Sequence, residues 1–530
     1  MRLNLIIQAR CSSSRLPYKT MMPIKGIPLI ILIAKRLKRK NFNIIIATSN
    51  DKSDNDLCKL LDQNKIKYFR GDLTNVYKRY YDCLRSLNNN YLTLRLTGDN
   101  LFVDFRIINQ IAKELILKRK NYNYIDYIKS NVPYGLSVEV FNQKFFQNLK
   151  TKNNFEKEHV TASARSKKNN TYKSDLVFFN KKYSNLRCTI DNLEDYVLIN
   201  YIFQKVRDPI RISWFELCKK LQKYKKEKNI SLIYKKKIIL GTAQLGTKYG
   251  INNFYKIHKK RIENFKERKK LLYFASKLGI KRIDTARKYK NSEKIIGSYS
   301  KLNKAELEIH TKIFPIKTDS QNFLNNIKKS INLSLKYLKQ KKIKYLYFHD
   351  YQNLINLRKR ELILIKKISL SKYLGVSIYN PSELNSLISN KYLKVFQIPF
   401  NVLDNRFKNF FKILKKNNKK IFVRSIFMQG LIFANKWPPK IKKYKKTILN
   451  KLNFFTNKFE RINNIDLCIA YINYYKQIDG VIIGIDNKTQ LFQIFSFLEN
   501  KPLTYPQVKE IDKYFKKIPQ IVYDVRGWNL

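Results

Sequence analysis

The stretch Ile283-Asp284-Thr285-Ala286-Arg287-Lys288-Tyr289 decides how the second half of the chain folds. An apolar run, Gly279-Ile280-Lys281-Arg282-Ile283, ends in the carboxylate of Asp284, and the phenol of Tyr289 follows five positions later. Two further runs end in reactive side chains: Glu308-Ile309-His310-Thr311-Lys312 and Tyr345-Leu346-Tyr347-Phe348-His349. A carboxylate, a phenol, an ammonium and an imidazole thus stand at or just past three successive strand ends. In a closed parallel barrel those ends converge on one face. There an ammonium is expected to lower the phenol's pKa while the carboxylate holds the ammonium. Such a phenol is suited to giving a proton to a carbonyl oxygen.

Working outward, runs of strand character recur near 238–241, 279–284, 306–312, 343–349, 373–377, 393–398, 419–424 and 480–484. Amphipathic segments lie between most of them; Phe323, Leu324, Ile327, Ile331, Leu335 and Leu338 fall largely on one helical face. Eight strands alternating with helices predict a (β/α)8 TIM barrel. Ser377 closes the fifth strand, Gln397 lies near the end of the sixth, and Arg424 and Ser425 close the seventh. Gly484, Ile485, Asp486 and Asn487 follow the eighth and open a helix, a place where barrels bind phosphate. A single lysine in so basic a chain is background. The joint placement on one face is not.

The first third alternates in another way. Asn4-Leu5-Ile6-Ile7 reads as a buried strand, and Gln8 to Lys19 follows as a polar, cationic loop. Further strands read at Asn43–Ser49, Ile66–Asp72 and Tyr91–Leu96, separated by helical stretches. That alternation predicts an α/β domain with a doubly wound parallel sheet and ligands at the strand carboxyl ends. Arg10, Arg15 and Lys19 are placed to bear on a triphosphate; a basic solvated turn is the equal alternative. Asp99, just past a strand, and the distant Asp191 are hard oxygen donors suited to Mg²⁺, or else ordinary cap and turn residues. His159 reads equally as a substrate contact or a structural histidine.

The chain has 530 residues, too many for one ordinary domain. Residues 221–236, polar and highly charged, are the linker candidate between a domain at 1–220 and one at 237–530. Lys plus Arg number 108 against 39 Asp plus Glu, a net charge of +69. Such a charge reads either as attraction to nucleic acid or as compositional drift. The lysines are scattered rather than gathered, which favours drift and no specific nucleic acid. Six dispersed cysteines, none in a CxxC pair, point to reduced thiols in a cytoplasmic protein. No secretory pattern is visible, and the longest apolar stretch, around Leu29 to Ala34, is too short for membrane insertion.

Two resemblances add to this reading. Ile6 to Arg10, Arg15 to Lys19, Ala47-Thr48-Ser49, Arg70-Gly71-Asp72, Arg95 to Asn100, Glu158-His159-Val160-Thr161 and Thr189-Ile190-Asp191 resemble the cytidylyltransferase family over about residues 1 to 215. The closest branch is the spore-coat polysaccharide type, a relative of the CMP-Kdo-forming enzymes. The resemblance implies transfer of CMP from CTP to an acidic sugar. It assigns nucleotide binding to Ala9, Arg10, Ser12, Ser13, Arg15, Lys19, Arg70 and Thr97, and Mg²⁺ to Asp99 and Asp191. Sugar contacts are implied near Pro133-Tyr134-Gly135-Leu136 and Glu139. Tyr18 stands where that family usually has glycine, so a nucleotide-binding domain with impaired catalysis is an alternative.

Leu240-Gly241-Thr242-Ala243, Ile283 to Ala286 with Tyr289, Thr311-Lys312, Phe348-His349, Gly375-Val376-Ser377, Gln397 and Gly484 resemble the aldo/keto reductase family over about 237 to 500. The resemblance implies reduction of a small carbonyl substrate with NADPH as hydride donor. Tyr289 would be the general acid, Lys312 its partner, Asp284 the carboxylate on Lys312, and His349 the substrate-orienting residue. Thr242, Ser377, Gln397, Ser425, Gly484, Asn487, Lys488 and Gln490 would hold the cofactor. Gln490 falls where many members carry an arginine for the 2′-phosphate, so NADH is also open, with Lys488 as a substitute cation. Ile378 replaces the usual asparagine after Ser377. A non-catalytic nucleic-acid-binding protein is the remaining rival, and the sequence leaves oligomeric state open.

Overall fold

The computed structural model describes residues 2–87, 92–117, 124–126, 132–151, 153–166, 171–172, 181–225, 238–247, 249–251, 265–303, 306–316, 322–355 and 357–528. Two compact units divide the chain, Met1–Leu232 and Ile233–Leu530. The start of the expected linker is helical, since a helix spans Trp214–Tyr224. Residues 226–237, the rest of it, lie outside the described residues.

In the first unit β1 (Leu3–Gln8) lies between β4 (Phe42–Ser49) and β6 (Leu92–Thr97), with β5 (Lys67–Gly71) beyond β4. These four strands are parallel, and Ile6 sits opposite both Ile45 and Arg95. Helices cover both faces of such a sheet, so its strands read as unbroken apolar runs. β2 (Pro23–Ile24) and β3 (Ile27–Pro28) form a small antiparallel pair before the helix Leu29–Leu37. Beyond β6 the sheet turns mixed. β8 (Glu139–Phe141) pairs antiparallel with β6 and with β7 (Tyr124–Asp126), and β9 (Thr171–Tyr172) pairs parallel with β7. These last strands have two or three residues each, too few for a periodic signal. Ile6, Ile45, Tyr80, Phe141 and Phe146 anchor the core beneath them.

The second unit is a closed barrel of eight parallel strands. They are β10 (Ile238–Gly241), β11 (Arg282–Asp284), β12 (Glu308–Ile313), β13 (Tyr345–Phe348), β14 (Tyr373–Ser377), β15 (Leu393–Pro399), β16 (Lys420–Arg424) and β17 (Gly480–Gly484). β10 closes the ring against β17, with Leu240 opposite Ile483. Inside, an aromatic cluster replaces part of the usual branched aliphatic filling: His310, Tyr345, Tyr347 and Phe422. His310 Nδ1 lies 3.1 Å from the Tyr347 hydroxyl and Nε2 lies 3.3 Å from Glu308. Burial pulls the His310 pKa down, so this inner imidazole is neutral. Among the described residues no helix is long and apolar enough to cross a membrane.

Candidate active sites

At the carboxyl end of the barrel the four expected side chains meet in part by direct contact. The Lys312 ammonium donates to both oxygens of Asp284, at 2.8 and 2.7 Å, and to the Thr285 carbonyl at 3.1 Å. Lys312 and Asp284 are 1% and 3% exposed, so this ion pair is desolvated and must stay together. The amine lies 5.3 Å from the ring centroid of Tyr289, and the His349 ring stands edge-on to that phenol at 5.9 Å. The turn that carries Tyr289 is fixed from two sides. Arg287 N–H donates to the Lys312 carbonyl, and the Tyr289 carbonyl accepts from Ser292 N–H at 3.0 Å. Gly246 packs so closely beneath it that a Cβ there would lie 1.7 Å from the Tyr289 carbonyl oxygen.

One expectation is corrected here. The phenol's pKa was expected to be lowered by the ammonium. Instead burial, followed by the Asp284 carboxylate and Tyr379, drives it up, with Arg424 opposing. Burial also lowers Lys312 against the opposing pull of Asp284. Lys312's ammonium is bound to Asp284, and the phenol is governed by its burial and by the Asp284 carboxylate. His349 is lowered to about 3, first by burial and then by Lys312, Lys288 and Arg424. At neutral pH the mouth therefore holds a protonated phenol and an uncharged imidazole.

A cavity of about 460 Å³ opens at this mouth, within the range of small-molecule sites. Asp284, Tyr289 and, of the expected cofactor set, Thr242, Gln397, Ser425, Gly484 and Gln490 line it. Gln397 donates its amide to Asp284 at 2.8 Å. Thr242 donates to the Asp284 carbonyl. Ser377 is buried opposite Gln397 on the neighbouring strand. Asn487 caps the helix Lys488–Phe497 by accepting from Gln490 N–H, and the Gln490 side chain folds back on Asp486. Gly484 brings backbone against Gln244, whose amide nitrogen would lie 2.3 Å from an added Cβ. Arg424, Tyr249 and Phe427 also line the cavity. Arg424 was legible as a strand end, whereas Tyr249 lies in a loop with no periodic signal.

In the first unit Lys19 gathers the expected carboxylates. Its ammonium donates to Asp99 at 2.7 Å and to the Ile190 carbonyl at 2.9 Å, and lies 3.9 Å from Asp191. Arg15 and Arg187 reach Asp191 at 3.2 and 2.6 Å. Thr97 donates to Asp99, and the desolvated Asp99 is nevertheless lowered by Lys19. Ala9 is buried under Gly98, Ser12 is exposed, and Ser13 accepts from Leu16 N–H. Arg10 reaches the Leu73 carbonyl. Arg70 does not join these contacts: it donates to the Ser49 and Asp51 carbonyls and to Asn55, clamping the loop after β4. His159 is exposed against Phe155, and Glu139 is buried between Arg95 and Thr161. Tyr18 adopts a left-handed backbone, φ 59°, and its phenol hydrogen-bonds Asp56. Asp54, which the sequence did not mark, accepts from Cys11 N–H, Thr48 and Ser49 and so sets the start of the loop.

A seven-stranded mixed sheet in the first unit and a closed eight-stranded parallel barrel in the second make this a two-unit α/β protein. Residues 237–516, more than half of the chain, match the aldo/keto reductase family, and the chain belongs to it. Residues 4–239 match the cytidylyltransferase family. Both are enzyme families, so the non-catalytic reading of the charge gives way, and the coarse assignment is a bifunctional nucleotide-sugar and oxidoreductase enzyme that uses NAD(P)H. The chain is 30% identical over 237 residues to Methanocaldococcus jannaschii protein MJ1063, covering 43% of this chain and 93% of that one. It is 29% identical over 223 residues to the spore coat polysaccharide biosynthesis protein SpsF of Bacillus subtilis, covering 40% and 90%. Among solved structures, a Leptospira borgpetersenii cytidylyltransferase is similar at 22% identity and a TM-score of 0.39, covering 44% of this chain and all of that one. The aldo-keto reductase AKR11C1 of Bacillus halodurans is similar at 18% and 0.43, covering 52% and 91%.

Proposed function

We propose that the chain makes an activated sugar for a surface polysaccharide or glycan, in the cytoplasm, through two activities. The first unit transfers CMP from CTP to an acidic sugar, and the second reduces a small carbonyl compound. The observation that carries the reductase half is the desolvated Lys312–Asp284 pair 5.3 Å from the Tyr289 ring. For the transferase half it is Lys19 between Asp99 and Asp191. The polysaccharide-biosynthesis role in the name of the Bacillus subtilis relative and the six buried free cysteines support the setting.

Asp99 and Asp191 supply hard oxygens within one cationic cluster, and substrate phosphates would supply the further oxygens Mg²⁺ takes. They would hold that ion, which supplies charge neutralisation on the phosphates. A sugar hydroxyl oxygen attacks the α-phosphorus of CTP, the α-phosphorus bond to the bridging oxygen breaks, pyrophosphate leaves and the hydroxyl proton passes to solvent. Lys19 and Arg15 bear on the charge that develops. The phenol of Tyr18 is tied to Asp56, which supports an open phosphate loop over an impaired one.

In the barrel the cavity, with Thr242, Gln397, Ser425, Gly484 and Gln490 on its wall, would hold a dinucleotide. Bound NAD(P)H supplies the hydride to the carbonyl carbon. Tyr289, kept protonated by burial and Asp284, would pass its proton to the carbonyl oxygen as the carbon gains hydride, so that C=O becomes CH–OH. Lys312, fixed by Asp284, then faces the phenolate just formed. His349, neutral, donates a hydrogen bond to the reacting oxygen without competing for its proton. Gln397 spends its N–H on Asp284, which leaves Oε1 for the carboxamide. Ser377, Thr242 and Ser425 would flank it, and the Asn487–Lys488 helix start would take phosphate.

Mass spectrometry after incubation with CTP, Mg²⁺ and Kdo-type or nonulosonic acids should show a CMP-sugar; none from any of them removes the transferase reading. Tyr289→Phe should abolish carbonyl reduction while NAD(P)H still quenches protein fluorescence with an unchanged Kd. Retained turnover refutes the proton-donor role.

A further inference from the structure

Arg424 is the last residue of β16 and stands half-buried on the wall of the barrel cavity, beside Asp284, Tyr289 and Gln397. Its guanidinium donates one hydrogen bond, from Nη2 to the Ile378 carbonyl at 3.1 Å. One face lies 4.1 Å from the centroid of Tyr379, and Arg526 lies 4.4 Å from the same ring. This stack holds the guanidinium plane in place without neutralising it.

No carboxylate among the described residues pairs with Arg424. Lys312 has Asp284, Arg287 has Glu293 and Arg406 has Asp404, while the buried Lys419 is answered by the Asn390 and Leu393 carbonyls. The acids that line the cavity are already engaged. Asp284 accepts twice from Lys312 and once from Gln397, and Asp486 accepts from Gln490. A fixed, partly desolvated guanidinium with unused N–H donors is a bidentate receptor for a carboxylate or phosphate.

Its position says which anion. Arg424 shares the cavity wall with Asp284, Tyr289 and Gln397, the reacting end of the cavity, and its charge opposes the upward shift of Tyr289. The helix start at Asn487, on the strand after it, is the natural phosphate end. The chain after β16 takes left-handed conformations at Ser425, Met428 and Gln429, with φ of 61°, 47° and 53°, and Ser425 and Gln429 line the cavity. Backbone strain of this kind persists where a ligand site over-determines it.

We propose that Arg424 selects carbonyl substrates that carry a carboxylate, pairing with it while Tyr289 faces the carbonyl oxygen. The claim rests on the reductase reading above and narrows it to oxo acids and acidic aldehydes. The other anion able to answer Arg424 is a phosphate of the dinucleotide, and the test separates the two.

The full-length chain is assayed with 4-carboxybenzaldehyde and its neutral isostere 4-nitrobenzaldehyde, with NADPH affinity measured by fluorescence. The native protein should favour the carboxylate in kcat/KM. In Arg424→Gln that preference should fall by about 10- to 100-fold, mainly through KM, as expected for loss of a charge-assisted pair. Arg424→Lys should recover part of it, and added salt should erode the native preference. Equal native kcat/KM for the two aldehydes overturns the inference and leaves the reductase reading intact. An unchanged preference in Arg424→Gln overturns it as well. A weakened NADPH Kd with no change in preference assigns Arg424 to the cofactor phosphates and overturns it too. Reduction of neither aldehyde, nor of any other carbonyl, removes the reductase reading and this inference with it.

Discussion

Gly246→Ala tests whether the Tyr289 turn is held by backbone contact. The added Cβ would lie 1.7 Å from the Tyr289 carbonyl oxygen and 2.8 Å from Ser292 N. That carbonyl already accepts from Ser292 N–H at 3.0 Å, at the start of the helix Ser292–Asn303, so it cannot swing aside without losing the bond. An ordinary C···O contact is about 3.3 Å, so the Tyr289 backbone must retreat by about 1.6 Å, the difference from 1.7 Å. A displacement of about 1 Å at a reacting group costs about 100-fold in rate. The expected result is a kcat for aldehyde reduction at least about 100-fold below native. Overpacking should also lower stability by about 1–3 kcal/mol. Steady-state NADPH oxidation gives the first number and chemical denaturation the second. Gly297→Ala is the control: its Cβ would lie 2.1 Å from the Tyr337 carbonyl, where the helices Ser292–Asn303 and Phe323–Leu338 meet. It should lose comparable stability but keep native turnover per folded molecule. Native kcat in Gly246→Ala, or an equal kcat loss in Gly297→Ala, refutes the reasoning.

Arg79 is fully buried and none of its three guanidinium nitrogens has an acceptor among the described residues. Arg79→Met should therefore stabilise the first unit by about 1–3 kcal/mol, seen as a higher unfolding temperature; a lower one shows that the guanidinium is satisfied in solution. His349 has a folded pKa of about 3 against about 6.5 unfolded, so between those values the unfolded state binds more protons. Its contribution to stability is full above about pH 6.5 and is lost as pH falls toward 3, so His349→Gln should flatten the acid limb of a Tm-versus-pH curve. An unchanged slope refutes the shift. Tyr18→Gly relieves a left-handed residue costing about 1–2 kcal/mol but removes the phenol's bond to Asp56, so the unfolding temperature should stay close to native. A tenfold or larger rise in CMP transfer would show instead that the phenol obstructs the phosphate loop.

The barrel was legible because each strand is a short apolar run bounded by polar turns, and its register follows from closure. Asp284, Lys312 and Gln397 were legible for the same reason: each is a polar side chain at or near the end of an apolar strand, and those ends meet at the mouth. What the pattern could not show was who bonds whom. It read Lys312 as a modulator of Tyr289, yet the amine's charge is taken by Asp284 and the phenol answers to burial instead. The resemblance gives Arg70 to nucleotide binding, and its guanidinium also donates to the Ser49 and Asp51 carbonyls. Composition is blind to such pairings, because a cation that binds backbone carbonyls and one that binds a ligand have the same spacing in sequence. The antiparallel edge at β8 was missed for want of length. Tyr249 and Asp54 were missed because tertiary contact alone gives them a role.

The charge of +69 misleads for a related reason. A lysine on the surface is answered by water and says little about partners. The informative cations are those withdrawn from water, since each must be answered by the protein or at a cost. Lys312 is answered by a carboxylate, and Arg36 by the Leu101, Phe102, Pro209 and Ile212 carbonyls. Arg79 and Arg424 are not answered by any acid among the described residues, and access separates them. Arg79 is 0% exposed, so no ligand meets it in this conformation and its charge is a cost that a methionine would remove. Arg424 faces a cavity, so the missing counter-charge can arrive with a ligand. Binding of a carboxylate there then stabilises the folded state by mass action. Succinate or benzoate should therefore raise the unfolding temperature of the native chain, whereas Arg424→Gln should show no such response; an equal rise in both would place the anion elsewhere on this very basic protein.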